Sequence, residues 1–326
     1  MIAPSAGVDL VSGPWSGGVG GEMDAISGAT IDAISGATPG FRENRYELDL
    51  DGGWEGESSR LNAGIYGATE SDTRSITGSL GGELDLFQEN LTLGLSYGHA
   101  EYRQGEVEEP SELWDRKGID QIDLSASQLL SPSTVVLGGF TFQRLAGELD
   151  SPYLDVPIFP ADETLWTRRH AQWVHERHPD TRLRYALTLE GRQALTERMF
   201  LHAVYVGYLD SWAMRANTGE LGVSADLGRD VILEVHERFY WQSSVSFYRS
   251  VYTVNRDYIT RDRRLGEQWT STSGLVLTHH GERLTPHLAL DFRVTHYDDF
   301  YGIIGEELVP VQRHLAGIAQ VGASFE

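Results

Sequence analysis

Cysteine is missing from all 326 residues, which removes disulfides, thiolate zinc sites, iron–sulfur clusters and CxxCH haem attachment from this chain. Positive charge is scarce. Lys and Arg total 26 against 48 Asp and Glu, the formal net charge is -22, and Lys117 is the only lysine. Phosphate backbones are bound by clustered Lys and Arg, so no nucleic-acid partner is expected. No apolar run approaches the ~18 residues of a membrane helix. Met1 is not followed by a basic stretch and an apolar core, so a secretory signal, which a barrel would need, is expected to have been cleaved or to lie outside this sequence. Nucleophile elbow, phosphate loop and zincin motifs are all absent. No catalytic residue is assigned, and the chain is read as a non-enzyme.

What is present is glycine, with 36 residues, and a period of two. Leu91, Leu93, Leu95 and Tyr97 alternate with Thr92, Gly94, Ser96 and Gly98; Leu183, Tyr185, Leu187 and Leu189 alternate with Arg182, Arg184, Ala186, Thr188 and Glu190. Leu288, Leu290, Phe292 and Val294 repeat the pattern, as do Leu315, Gly317, Ala319, Val321, Ala323 and Phe325. Such alternation gives a sheet one apolar and one polar face, and runs of about 10 residues match a tilted membrane crossing. Only a closed barrel satisfies strand hydrogen bonds in lipid.

The fold class expected is therefore all-β, a transmembrane antiparallel up-and-down β-barrel of about 12–14 strands over residues 42–326, with outer-membrane lipid around it. Thirteen strands can be marked, near 43–54, 60–70, 74–87, 91–103, 118–130, 133–147, 181–194, 198–212, 217–228, 231–246, 268–279, 285–297 and 312–326. Short connections at Gln88–Asn90, Leu130–Ser133, Leu195–Glu197, Gly228–Asp230 and His280–Thr285 alternate with long ones at 104–117, 148–180, 247–267 and 298–311, the periplasmic-turn and external-loop pattern. Aromatics crowd the strand ends (Tyr97, Tyr102, Tyr205, Tyr208, Trp212, Tyr240, Trp241, Phe247, Tyr248, Tyr297, Phe300 and Tyr301), as interfacial girdles do. A soluble sandwich is the competing fold.

Residues 1–41 differ: rich in Gly, Ala and Ser and without sustained period, they read as a flexible tail on the periplasmic side. Within them Asp24-Ala-Ile-Ser27-Gly28-Ala29-Thr30 is repeated as Asp32-Ala-Ile-Ser35-Gly36-Ala37-Thr38. A third, worn copy at Asp9-Leu-Val-Ser12-Gly13 ends in Pro14 and Trp15 and lacks the Ala-Thr. Two identical seven-residue copies offset by eight are not a chance of linker composition.

The segment Asp-x-x-Ser-Gly-Ala-Thr resembles the flavinylation motif recognised by FAD:protein FMN transferases, and the FMN-bearing subunits of the sodium-pumping NADH:quinone reductase and its Rnf relatives. That resemblance implies covalent FMN, linked through phosphate to Thr30 and Thr38, with the transferase as partner. A phosphoester needs a hydroxyl nucleophile, and Gly28, Ala29, Gly36 and Ala37 leave its approach open. The stretches His178-Pro-Asp-Thr-Arg-Leu-Arg184, Tyr208-Leu-Asp-Ser-Trp212 and Glu237-Arg-Phe-Tyr-Trp-Gln242 through Phe247-Tyr248 resemble a bacterial family of outer-membrane barrels of unknown function, encoded near such transferases. The resemblance implies a redox or extracellular electron-transfer role beside periplasmic or outer-membrane cytochromes or other electron carriers. A porin-like or structural barrel with an unmodified linker is the alternative.

Other clusters read as structural. His170, His175 and His178 stand among arginines, which oppose a metal cation, so no metal ligand is assigned. Arg182, Arg184, Glu190, Glu234, His236, Arg238, Asp291 and Arg293 fall on polar faces and read as a charge network filling the lumen. Glu101, Glu106, Glu108, Glu109, Glu112 and Asp115 read as a solvated loop rather than a calcium site.

Overall fold

A computed structural model describes residues 5–28, 41–107, 110–281 and 283–325. The chain runs through β1 (Ser5–Ser12), β2 (Trp15–Gly28), β3 (Phe41–Glu55), β4 (Ser59–Thr69), β5 (Thr73–Leu86), β6 (Leu91–Gln104), β7 (Asp115–Ser131) and β8 (Thr134–Gly147). Two short strands, β9 (Asp155–Ile158) and β10 (Gln172–His175), precede β11 (Thr181–Thr196), β12 (Met199–Asp210), β13 (Arg215–Gly228), β14 (Val231–Gln242), β15 (Gln268–His279) and β16 (Leu284–Tyr297). The chain closes with β17 (Tyr301–Ile304), β18 (Glu307–Pro310) and β19 (Arg313–Phe325).

Fifteen of these strands make one sheet in sequence order, and β9–β10 and β17–β18 form two-stranded ribbons within loops. Every ladder of the large sheet is antiparallel, with β1 and β19 at its two ends. Tight turns set the register. Arg229 and Asp230 both take positive φ, 56° and 60°, the primed-turn geometry whose twist matches that of the flanking strands.

The thirteen strands expected from periodicity are all present, as β3 to β8, β11 to β16 and β19. The flexible-tail reading needs correction over residues 5–28, which form β1 and β2 and pair onward to β3. Glycine hid them. On β2 the residues sharing a face are Trp15, Gly17, Val19, Gly21 and Met23, so the apolar half of the period is diluted by residues with no side chain.

Strand direction alternates, so the long connections after β6, β8, β14 and β16 all leave one end of the sheet. Gly28 and Phe41 lie at that same end, and Phe325 at the other. The apolar face is bare: Leu80, Leu95 and Val321 are 62%, 57% and 83% exposed. At ~25 cal/mol per Å2, a surface of this kind is stable only against lipid. Buried side chains concentrate elsewhere. Phe159, Ile259, Glu176, Val156, Val245, Thr260 and Pro157, the largest fully buried ones among the described residues, all belong to the connections 148–180 and 243–267.

Candidate functional site

Asp24, Ser27 and Gly28 of the first cassette lie on β2, their backbones opposite Arg45, Arg42 and Phe41 of β3. Ala29, Thr30, Asp32, Ser35, Gly36, Ala37 and Thr38 fall outside the described residues. What is visible is where the intervening segment leaves and rejoins the sheet: between Gly28 and Phe41, at the end that carries the long loops.

Those loops fold into a cap with its own core. Val156, Tyr252 and Ile259 pack together with Ile158 and Val174, while Trp212, Met214, Val245, Tyr248 and Leu265 form a second cluster joined by Leu149, Tyr208 and Phe247. The 148–180 connection leaves between β8 and β11 and ties to loops on both sides. Tyr153 Oη donates to Asp72 at 2.9 Å and to the Gly105 carbonyl at 3.2 Å. In the other direction Arg177 exchanges two backbone bonds with Ile259, and Arg168 N–H donates to the Glu306 carbonyl at 3.0 Å. Arg261 joins the 243–267 loop to the Tyr301 carbonyl at 2.6 Å. One loop thus reaches the connections after β4, β6, β14 and β16.

Two buried polar groups lock this cap. Glu176, 1% exposed, accepts from Ser151 N–H at 3.0 Å and from Thr260 Oγ1 at 2.9 Å. His178 Nε2 stands 3.4 Å from the same carboxylate, its Nδ1 is 3.0 Å from the Leu149 carbonyl, and Trp212 meets the ring edge-on at 5.1 Å. Below them, at the start of the sheet, Arg182 forms a buried ion pair with Asp210, its Nε at 2.8 Å from Oδ2, and stacks over Trp212 at 4.2 Å. Asp210 also accepts from Tyr208 Oη, Trp212 N–H and Met214 N–H.

Titration of the cap follows from this geometry. Burial lowers the His178 pKa, but the Glu176 carboxylate and the Leu149 carbonyl outweigh it, and the net shift is upward from 6.5. Glu148 is raised from 4.5 to about 7, first by its hydrogen bond to Asp150 and then by desolvation and the charges of Asp150, Asp115 and Asp180. Both folded values exceed the free ones, so their stabilisation is complete below about pH 4.5 for Glu148 and about pH 6.5 for His178, and is lost as pH rises through about 7 and through the raised imidazole value. Protection of the amides of residues 149–180, after correction for the intrinsic base-catalysed rise in exchange, should therefore fall as pH rises through about 7 and through the raised imidazole value. A flat profile would remove both groups from the locking of the cap.

On the sheet, the polar residues expected to share a face do so. Register aligns Arg182, Arg184, Glu190, Glu234, His236, Arg238, Asp291 and Arg293 on the polar face. Glu190 holds Arg192 at 2.7 Å and approaches His202 at 3.5 Å, and His236 approaches Asp291 at 3.2 Å. The aromatic girdle needs correction. Tyr97, Tyr205 and Trp241 lie on the apolar face, as do Phe239 and Trp269, but Tyr102, Tyr208 and Tyr240 share the polar face. Trp212, Phe247 and Tyr248 build the cap, and Phe300 packs on Tyr297 at 5.7 Å. The three histidines are held separately: His170 by Thr167 at 2.7 Å, His175 by Asp155 at 3.5 Å, His178 by Glu176.

The sequence profile described as "Protein of unknown function (DUF3570)" matches residues 99–305. The chain belongs to the DUF3570 family. No curated protein matches it in sequence. Among solved structures, the siderophore receptor PirA from Pseudomonas aeruginosa superposes with a TM-score of 0.60 at 9% identity, over 98% of the DUF3570 chain and 56% of the receptor. PirA from Acinetobacter baumannii gives 0.60 at 10% identity, over 99% and 57%. A bacterial polysaccharide outer membrane secretin gives 0.53 at 10% identity, over 99% and 89%. The DUF3570 chain thus spans little more than half the length of the siderophore receptors. At these identities the likeness shows the fold alone, that of outer-membrane β-barrels.

Proposed function

We propose that this chain is an outer-membrane barrel that carries two covalent FMN groups, on Thr30 and Thr38, within a redox system. The observation that carries this reading is the perfect duplication of Asp-Ala-Ile-Ser-Gly-Ala-Thr, the first copy beginning on β2 and the second following at once. In the proposed modification each threonine Oγ attacks the FMN-side phosphorus of FAD; the phosphoanhydride bond breaks, AMP leaves, and the hydroxyl proton passes to solvent. An FAD:protein FMN transferase brings FAD and the metal for that step. Bound there, the isoalloxazine supplies one- and two-electron chemistry, while the chain supplies tether and position. With cysteine absent and no haem attachment motif, electrons crossing the membrane need a partner cytochrome or other carrier. The barrel itself is proposed as a non-enzyme.

Strand parity supports a location for the flavins. With the long loops external, as in outer-membrane barrels, the segment between Gly28 and Phe41 faces outward rather than the periplasm, and modification precedes assembly of β2 and β3 into the sheet. Long loops that pack into a cap of their own suit an anchor better than an open porin.

Chain isolated from a host that expresses the transferase should carry two FMN adducts by intact mass and fluoresce in a denaturing gel. Thr30→Ala and Thr38→Ala should each leave one adduct, and the double variant none. Unmodified wild-type chain would end the flavin reading. Protease added to intact cells should release the flavin signal; protection would return the cassettes to the periplasmic side.

A further inference from the structure

Register brings together three arginines that lie far apart in sequence. Arg74 on β5 is opposite Arg103 on β6, and Arg103 is opposite Arg116 on β7. All three are exposed and lie on the apolar face, near the end that bears the long loops. Like charges directly opposite on neighbouring strands repel, so a row of three arginines without a counter-charge is costly even in a chain of net charge -22. Among the described residues none of the three joins an ion pair. Arg74 is braced at 5.3 Å over the buried Trp114 ring.

Successive rows toward the short-turn end show what lies beneath. The next row holds Ile76, Glu101 and Gly118, and the one after it Gly78, His99, Asp120 and Arg144. In that row Asp120 is fully engaged, with Tyr97 Oη at 2.9 Å, His99 Nδ1 at 2.8 Å and Arg144 at 3.4 Å. Below it the rows turn apolar: Leu80, Tyr97, Ile122 and Phe142, then Leu95, Leu124 and Phe140. The change from charge to hydrocarbon is completed within two residues of strand. Beside it lies a groove of about 570 Å3, walled by Leu50, Ile65, Leu80 and Tyr97 over Ala63 and Gly78. A Cβ on Gly78 would meet nothing within 4 Å. From Gly78 to Arg74 is four residues of strand, about 13 Å at ~3.3 Å per residue, so an anionic head at the arginines stands that far from the apolar slot, with Glu101 in the row between.

We propose that this face binds a phosphorylated, multiply acylated lipid of the outer leaflet, of the lipid A class. Its phosphate is held by the Arg74–Arg103–Arg116 row and an acyl chain lies along the groove. Guanidinium forks match phosphate oxygens two at a time, and one shared anion relieves the repulsion along the row. The inference rests on the barrel spanning the outer membrane with its long loops outside, and is independent of the flavins.

The full chain, folded in detergent, is titrated with three probes and followed by native mass spectrometry: bis-phosphorylated lipid A, the same lipid stripped of its phosphates, and sodium phosphate. Lipid A should bind at least tenfold more tightly than either control. The double variant Arg103→Gln/Arg116→Gln should lose that preference, Gly78→Leu should weaken lipid binding by filling the slot, and Arg192→Gln on the polar face should bind as wild type. Equal binding of the stripped lipid, equal competition by sodium phosphate, or an unaffected double variant would each overturn the proposal. Loss of heat-shifted gel mobility reports a variant that has not folded, in which case the single variants Arg103→Gln and Arg116→Gln carry the comparison. A wild-type chain that dissolves without detergent would overturn the membrane reading first, and this inference with it.

Discussion

Asp210→Asn should destabilise the capped end of the barrel by about 3–5 kcal/mol, the usual cost of removing one partner from a buried ion pair. Arg182 and Asp210 expose 6% and 0% of their side chains, so water cannot take over when the carboxylate charge goes. The substitution is close to isosteric; the loss therefore reports an uncompensated guanidinium rather than a cavity. Asp210 also orders the turn that places Trp212, through the N–H groups of Trp212 and Met214. Urea titration of reconstituted protein, followed by tryptophan fluorescence, measures the effect. A change under about 0.5 kcal/mol, the scale of a surface substitution, would show that the pair is not what fixes the cap to β11 and β12.

Glu176→Ala should release the cap while the sheet persists. Among the described residues the carboxylate is the acceptor for the Thr260 hydroxyl, a residue with 0% exposure, and it also takes the Ser151 N–H. Hydrogen bonds to a charged group contribute about 1.5–3 kcal/mol each. Losing two therefore lowers local opening energy by about 3 kcal/mol, which speeds amide exchange across 149–180 and 249–262 roughly a hundredfold. His178 would lose the neighbour that raises its pKa, so the pH dependence of the cap should flatten in the same variant. Exchange in β6 and β7 should stay as in wild type. Were those strands to open together with the loops, the cap would not be a separate unit.

Alternation of the kind seen in Leu91–Tyr97 and Leu183–Leu189 made the sheet legible from sequence, because a period of two has only one structural consequence. The N-terminal strands were not legible: on β2 the face that carries Trp15, Val19 and Met23 is interrupted by Gly17 and Gly21. Register was equally hidden. Nothing within Arg74, Arg103 or Arg116 announces that three strands align them, since alignment depends on turn lengths after β5 and β6. The cap is illegible in sequence because its apolar residues follow no period; Val156, Tyr252 and Ile259 meet only through tertiary contact. Asp210 sits inside Tyr208–Trp212, and its pairing with Arg182, 28 residues earlier, leaves no mark in the period of either strand. For the cassettes, residue types supplied the whole signal, and the strand framework adds only the end of the sheet at which they leave and return.

The ties that hold the cap join residues very distant in the chain: Asp72 to Tyr153, Arg168 to Glu306, Arg177 to Ile259. Closing such loops carries an entropic cost that grows with their length, and contacts of high sequence separation form late. The cap can therefore close only after the strands from β4 to β16 stand in order. A barrel stalled partway should leave residues 148–180 open to protease, and a finished one should protect them.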